Sequence, residues 1–164
     1  MSKSLKKVWL ASAVLRGMQL EAARAFPLET GGVLVGYQSN PQTELVVTSF
    51  AGPGPNAQHL RARFVPDYDY HLSELSRFYY SSGRLERYVG DWHTHPLGAA
   101  TLSGTDLKTL ETISSYRGSR LPNPIMIVLY ERDWRCTTWE LRRRGIGRLG
   151  MCRVNQLETQ IYAE

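Results

Sequence analysis

The stretch GDWHTHPLGAATLSGTDL, residues 90–107, gathers two histidines, a serine and an aspartate within the fourteen positions from His93 to Asp106. Side chains alternate faces along a strand, so His93 and His95 point to one side and Thr94 to the other. Two imidazoles on one face can share a metal ion. Pro96 then ends ladder pairing and turns the chain, which lets a third ligand return from the following loop or helix start. Asp106, eleven residues after His95, meets that requirement. Two imidazole nitrogens and a carboxylate oxygen suit zinc, whose catalytic sites keep three protein ligands and one open position. Asp91 shares the histidine face, either as an acceptor that orients an imidazole or as a simple strand-end acid. Each residue also has a plainer role. S-x-x-D, Ser103 to Asp106, is a helix start in which the serine caps and the aspartate meets the positive end of the helix. A lone H-x-H is often a pair of satisfied or exposed histidines. What favours a metal is the coincidence of H-x-H, an immediate proline and S-x-x-D within a loop's reach. His59 and His71 stand in a loop and a helix without any partner pattern, and no role is assigned to them.

The elements that must position these residues follow from periodicity. Val14, Leu15, Met18, Ala22, Ala25 and Phe26 recur at three- and four-residue intervals and predict a helix over 11–26, closed by Pro27. TGGVLVGY, from Thr30, reads as a buried strand, and ELVVTSF, 44–50, as its hairpin partner across a Ser39-Asn40-Pro41 turn. AGPGPNAQHLRARF, from Ala51, breaks regular structure with its glycine and proline alternation and is expected to be a loop. A helix over 67–81, carried by Tyr68, Leu72, Leu75 and Tyr79, ends near Gly83. A strand over 84–93 carries the first histidine, a helix follows over 105–116, and PIMIVLY and RCTTWEL read as two further strands. The order is helix, two strands, helix, strand, helix, two strands. It predicts an α/β (α+β) fold, a mixed curved sheet flanked by helices.

At 164 residues the chain is expected to be one domain, 1–164, with a core over 11–141 and a basic C-terminal extension over 142–164. Hydrophobic residues make up 42% and charged residues 21%, which argues against wholesale disorder. Cys136 and Cys152 form neither a C-x-x-C pair nor a disulfide framework, so a reducing compartment fits best. Lysines ahead of a short apolar stretch and Ala11-Ser12-Ala13 superficially resemble a signal peptide. Only Val8 to Leu10 would serve as its apolar region, so the segment is expected to belong to the folded protein. No run approaches the roughly 18 apolar residues of a membrane span, and a cytoplasmic protein is expected. The net charge of +5 is uneven, with seven arginines between Arg132 and Arg153. They suit either a nucleic-acid or acidic partner, or a solvated strand end and basic tail. Without interleaved aromatics or a nucleic-acid motif the second reading is preferred.

HTHPLGAATLSGTD resembles the signature of the JAMM, or JAB/MPN, metalloprotease family: H-x-H-P, six residues, then S-x-x-D. ETGGVLVG, from Glu29, resembles the glutamate-bearing strand start of the same family. The resemblance spans about residues 11–141 and fills all five functional positions. It implies a JAB/MPN, cytidine-deaminase-like core in which His93, His95 and Asp106 hold one zinc ion. Ser103 would hydrogen-bond the substrate oxyanion, and Glu29 would be general base and acid. Gly31 and Gly32 after it suit that role by giving the backbone freedom to bring strand and site together. The family's members cut isopeptide bonds to ubiquitin or process bacterial ubiquitin-like and sulfur-carrier proteins, some in antiphage operons. The implied activity is deubiquitinase-like removal or trimming of a ubiquitin-like modifier at its C-terminal tail, held extended at a sheet edge. The implied partners are that modifier or its conjugates, and ubiquitin-ligation-like enzymes of the same operon. No membrane or nucleic acid is expected. The alternatives are a zinc hydrolase of small peptides or amino-acid or sulfur-carrier adducts, and a non-catalytic JAB-like scaffold.

Overall fold

A computed structural model describes residues 5–39, 43–144 and 151–163. In chain order the elements are β1 Lys7–Ala11, α1 Ser12–Ala25, β2 Gly31–Gln38, β3 Glu44–Ala51, β4 Gln58–Leu60, β5 Arg63–Val65 and α2 Tyr68–Ser81. They continue with β6 Arg87–His95, α3 Gly104–Ser115, a 3-10 turn Arg117–Ser119, β7 Ile125–Tyr130, β8 Arg135–Arg144 and β9 Met151–Tyr162. Seven strands pair in the order β1-β3-β2-β6-β7-β8-β9, and β9 pairs in turn with β1, so the sheet closes on itself. The β1–β3, β1–β9 and β6–β7 pairs are parallel and the rest antiparallel. β4 and β5 form a separate two-stranded hairpin. The mixed curved sheet with flanking helices is the one expected.

Two hydrophobic clusters lie on the two faces of the sheet. Val14, Met18 and Ala22 of α1 pack with Leu10, Leu34, Trp92, Ile127 and Leu129, while Leu110 of α3 packs with Met126, Val128 and Leu141. Alternate residues of β7 therefore enter different clusters, which explains why its sequence is continuously apolar rather than alternating.

The differences from expectation have physical causes. The strand expected over 84–93 runs from Arg87 to His95, so both histidines lie on it. Four strands lie outside the predicted set. β1 occupies the segment that superficially resembled a leader. The expected loop after Ala51 contains β4 and β5, two three-residue strands too short and too exposed to show a period. The polar segment read as a basic tail contains β9, paired with β8 on one side and β1 on the other. β8 itself extends to Arg144, so the arginine run is part of a strand and Arg142 sits opposite Arg153. Asn40 and Pro41 of the expected turn, and residues 145–150 of the extension, lie outside the described residues. No helix among the described residues is long and apolar enough to cross a membrane.

Candidate metal centre and its surroundings

β6 presents Trp92 and Thr94 to the interior beside α1 and turns His93 and His95 toward α3, as alternation requires. The strand ends at His95, and Gly98 N–H donates to the His95 carbonyl at 3.1 Å to close the turn that Pro96 opens. Ser103 then caps α3. Its Oγ accepts from Asp106 N–H at 3.2 Å, and its own N–H donates to Asp106 Oδ2 at 2.6 Å, a complete capping box. The cap and the metal-ligand readings of Asp106 are thus compatible, because the cap aims the carboxylate back at β6. Asp106 Oδ1 lies 3.3 Å from His93 Nε2, and Oδ2 lies 3.4 Å from His95 Nε2.

The two Nε2 atoms are 2.9 Å apart. Two bare lone pairs at that distance repel, so a proton or a cation must sit between them. His95 Nδ1 is 3.0 Å from the Ala99 carbonyl, which can only accept, so Nδ1 carries a hydrogen and Nε2 is the atom offered to the site. One ligand atom from each of His93, His95 and Asp106 lies within 4.8 Å of the others. A small divalent cation fits this donor set. Burial works to raise the Asp106 carboxyl, but hydrogen bonds from His93, His95 and Ser103 prevail and hold it well below the usual carboxylate range. The His95 imidazole is raised by its hydrogen bond to Asp106, against burial. At neutral pH the site is a carboxylate facing two imidazoles, ready to exchange a proton for a metal ion.

Glu29 is half-buried just before β2. Burial raises its carboxyl pKa, partly offset by His93 and His95, and the Asp106 charge adds to the rise. The side chain therefore lies within electrostatic reach of all three candidate ligands. The glycines after it serve closeness rather than backbone freedom. Gly31 pairs with His93, and a Cβ there would stand 2.5 Å from the Trp92 carbonyl oxygen, while a Cβ on Gly32 would collide with the Ala51 carbonyl. Neither has a left-handed φ.

Asp91 accepts from Tyr88 Oη at 2.7 Å and has no hydrogen bond to an imidazole among the described residues. His71 is buried, its Nε2 2.8 Å from the Gly52 carbonyl. His59 does touch the site. Its Nδ1 is 2.9 Å from the Glu29 carbonyl, a contact to backbone across 30 residues that leaves no spacing to find in the sequence.

The family of prokaryotic homologs of the JAB domain matches residues 11–141. A Sinorhizobium fredii protein named "Probable metalloprotease y4qB" is 37% identical over 86% of this chain and 88% of its own length. The "CD-NTase/cGAS isopeptidase" of Enterobacter hormaechei is 29% identical over 77% of this chain and 68% of its own length. COP9 signalosome complex subunit 5 of Dictyostelium discoideum is 31% identical over 68% of this chain but only 33% of its own length. A solution structure of a Desulfitobacterium hafniense protein superposes with a TM-score of 0.69 at 18% identity, over 96% of this chain and 94% of that one, and extends the likeness to the fold. A family match over residues 11–141 leaves one assignment: this chain belongs to the prokaryotic JAB-domain, or JAMM, family of metal-dependent hydrolases.

Proposed function

We propose that this chain is a zinc-dependent peptidase or isopeptidase that removes a ubiquitin-like modifier from its target, or trims the modifier's C-terminal tail, in the cytoplasm. The observation that carries the reading is the convergence of His93, His95 and Asp106 beside a half-buried glutamate with a raised pKa. The isopeptidase and metalloprotease names of two relatives point to the same class of bond. Two imidazoles and one carboxylate fit zinc. Bound there, zinc would supply a Lewis acid for the scissile carbonyl and make water acidic enough to ionise near neutral pH.

The residues of the chain divide the remaining work. Glu29 takes the proton of the attacking water and returns it to the leaving amine; a carboxyl raised by burial suits both steps better than an exposed one. Ser103 is exposed, its oxygen accepts from Asp106 N–H, and its hydroxyl, in contact with the Asp106 carboxylate, would turn to donate to the developing oxyanion. Among the described residues the main sheet is a closed ring, so the strand edges left for an incoming tail are those of the β4–β5 hairpin, next to Glu29. Main-chain pairing there suits a glycine-rich tail with few side chains to grip. Free Cys136 and Cys152 are consistent with a reducing compartment.

The test is metal content and cleavage of a ubiquitin-like protein carrying a C-terminal fusion, for wild type beside His95→Ala. One zinc per chain is expected, lost in the variant together with cleavage. Zinc without cleavage by wild type would point to another substrate, and a metal-free wild type that binds none on addition would remove the proposal.

A further inference from the structure

The peptide that carries Glu29 is held from two sides. On the β6 side, Thr94 lies between the two histidines. Thr94 N–H donates to the Thr30 carbonyl at 2.9 Å, and Thr30 N–H donates to Thr94 Oγ1 at 3.0 Å. On the other side, Glu29 N–H donates to the Leu60 carbonyl at 2.8 Å, and His59 Nδ1 is 2.9 Å from the Glu29 carbonyl. Two consecutive residues of β4 thus engage both backbone polar groups of Glu29. A carbonyl can only accept, so His59 Nδ1 carries a hydrogen. The ring is steadied from β5 by Phe64, its cross-strand partner, at a centroid distance of 5.6 Å.

We propose that His59 is a positioning residue: by donating from Nδ1 to the Glu29 carbonyl, it fixes the peptide from which the Glu29 carboxylate is aimed at the metal centre. The proposal rests on the reading of Glu29 as the base. The two holds differ in stiffness. Thr94 belongs to a strand paired on both sides within the closed ring, whereas β4 belongs to a hairpin of two three-residue strands, a unit of marginal stability by itself. The hairpin hold is therefore the adjustable one. A substrate tail added to the hairpin would stiffen the same element that sets the base, so productive tails would act on turnover as well as on binding.

Because a displacement of about 1 Å can cost about a hundredfold in rate, loss of one of two holds is expected to be visible in kcat. In the metal-loaded full chain, His59→Ala and His59→Gln should lower kcat about tenfold with KM within about twofold and metal content unchanged. His59→Asn should stay within about threefold of wild type, because Asn Nδ2 stands where Nδ1 does and the Gln amide does not. Nitrogen-15 imidazole spectra of wild type should show His59 protonated at Nδ1, and amide exchange at Glu29 should quicken in His59→Ala. An unchanged kcat in His59→Ala, a change confined to KM, failure of asparagine to rescue, or a neutral ring protonated only at Nε2 would each overturn the proposal. Those outcomes leave the base reading standing if wild type cleaves; a zinc-loaded Glu29→Gln variant that retains full activity would remove both.

Discussion

Asp106 spends its two carboxylate oxygens on three neighbours. Oδ1 faces His93, while Oδ2 faces His95 and accepts from Ser103 N–H. Ser103 N–H holds the Asp106 carboxylate independently of the hydroxyl, which also hydrogen-bonds it, and this backbone bond separates two functions that the S-x-x-D spacing alone leaves entangled. Ser103→Ala removes the cap bond from Asp106 N–H, at about 1 kcal/mol of stability. On the proposed role of Ser103 it would also remove an oxyanion donor, at about 3 kcal/mol of barrier, or about two orders of magnitude in kcat. Metal content should stay at the wild-type level, because the Ser103 N–H that holds Asp106 remains. Metal analysis and kcat measured on one preparation check this, and parallel loss of metal and activity would show that Ser103 acts only through Asp106. At this scale the candidate ligands were legible in the sequence because their geometry is local: strand alternation and a capping box bring them together within fourteen positions. His59 was not legible, since it meets Glu29 through a carbonyl that every residue possesses.

The elements show the same division. β2, β3, β6, β7 and β8 announce themselves by apolar runs, and α1 by helical spacing, because these segments bury apolar faces of their own; α2 shows the same spacing, but its Tyr68, Leu72 and Tyr79 are exposed and only His71 is buried. β1, β4, β5 and β9 do not announce themselves. β9 is mostly exposed, with only Leu157 buried, and it is a strand because β8 and β1 offer backbone on both sides. Such a strand is specified by its neighbours, which a sequence window does not contain. Its removal should be correspondingly damaging. A chain ending at Arg144 would leave β1 and β8 with open edges and uncover Leu157's place in the core, so it should be aggregation-prone, and any folded fraction should melt at lower denaturant than the full chain. Size-exclusion chromatography and urea unfolding of the truncated chain test this; a monomer of unchanged midpoint would make β9 dispensable.

At the scale of the whole molecule, the buried carboxyl of Glu140 stands apart from the candidate site. Glu140 is fully buried, neither oxygen has a well-formed hydrogen bond, and burial pushes its carboxyl up from 4.5 to about 7, against the Arg142 charge and the Leu5 N–H. The folded chain keeps this proton up to about pH 7 while the unfolded chain releases it above 4.5, so ionisation at Glu140 favours unfolding. Its contribution is intact below about pH 4.5, declines through the window to about 7, and is lost above it, a difference of about 3 kcal/mol. Glu140→Gln should gain on wild type in urea midpoint between pH 5 and pH 8; parallel pH curves for the two proteins would show that the ionised carboxylate finds a partner.

β7 joins the two sides of the molecule. Ile127 and Leu129 belong to the cluster under α1, Met126 and Val128 to the cluster under α3. Opening of α3 would free Asp106 and its cap and uncover the Leu110 contacts of the second cluster, while the cluster under α1 stays packed. Withdrawal of β7 strips both clusters at once, so loss of this strand couples the two sides of the molecule. A ligand captured between β6 and α3 suppresses the local opening as well as global unfolding, yet it leaves through the local opening, so its departure can be fast in a protein whose global unfolding is slow.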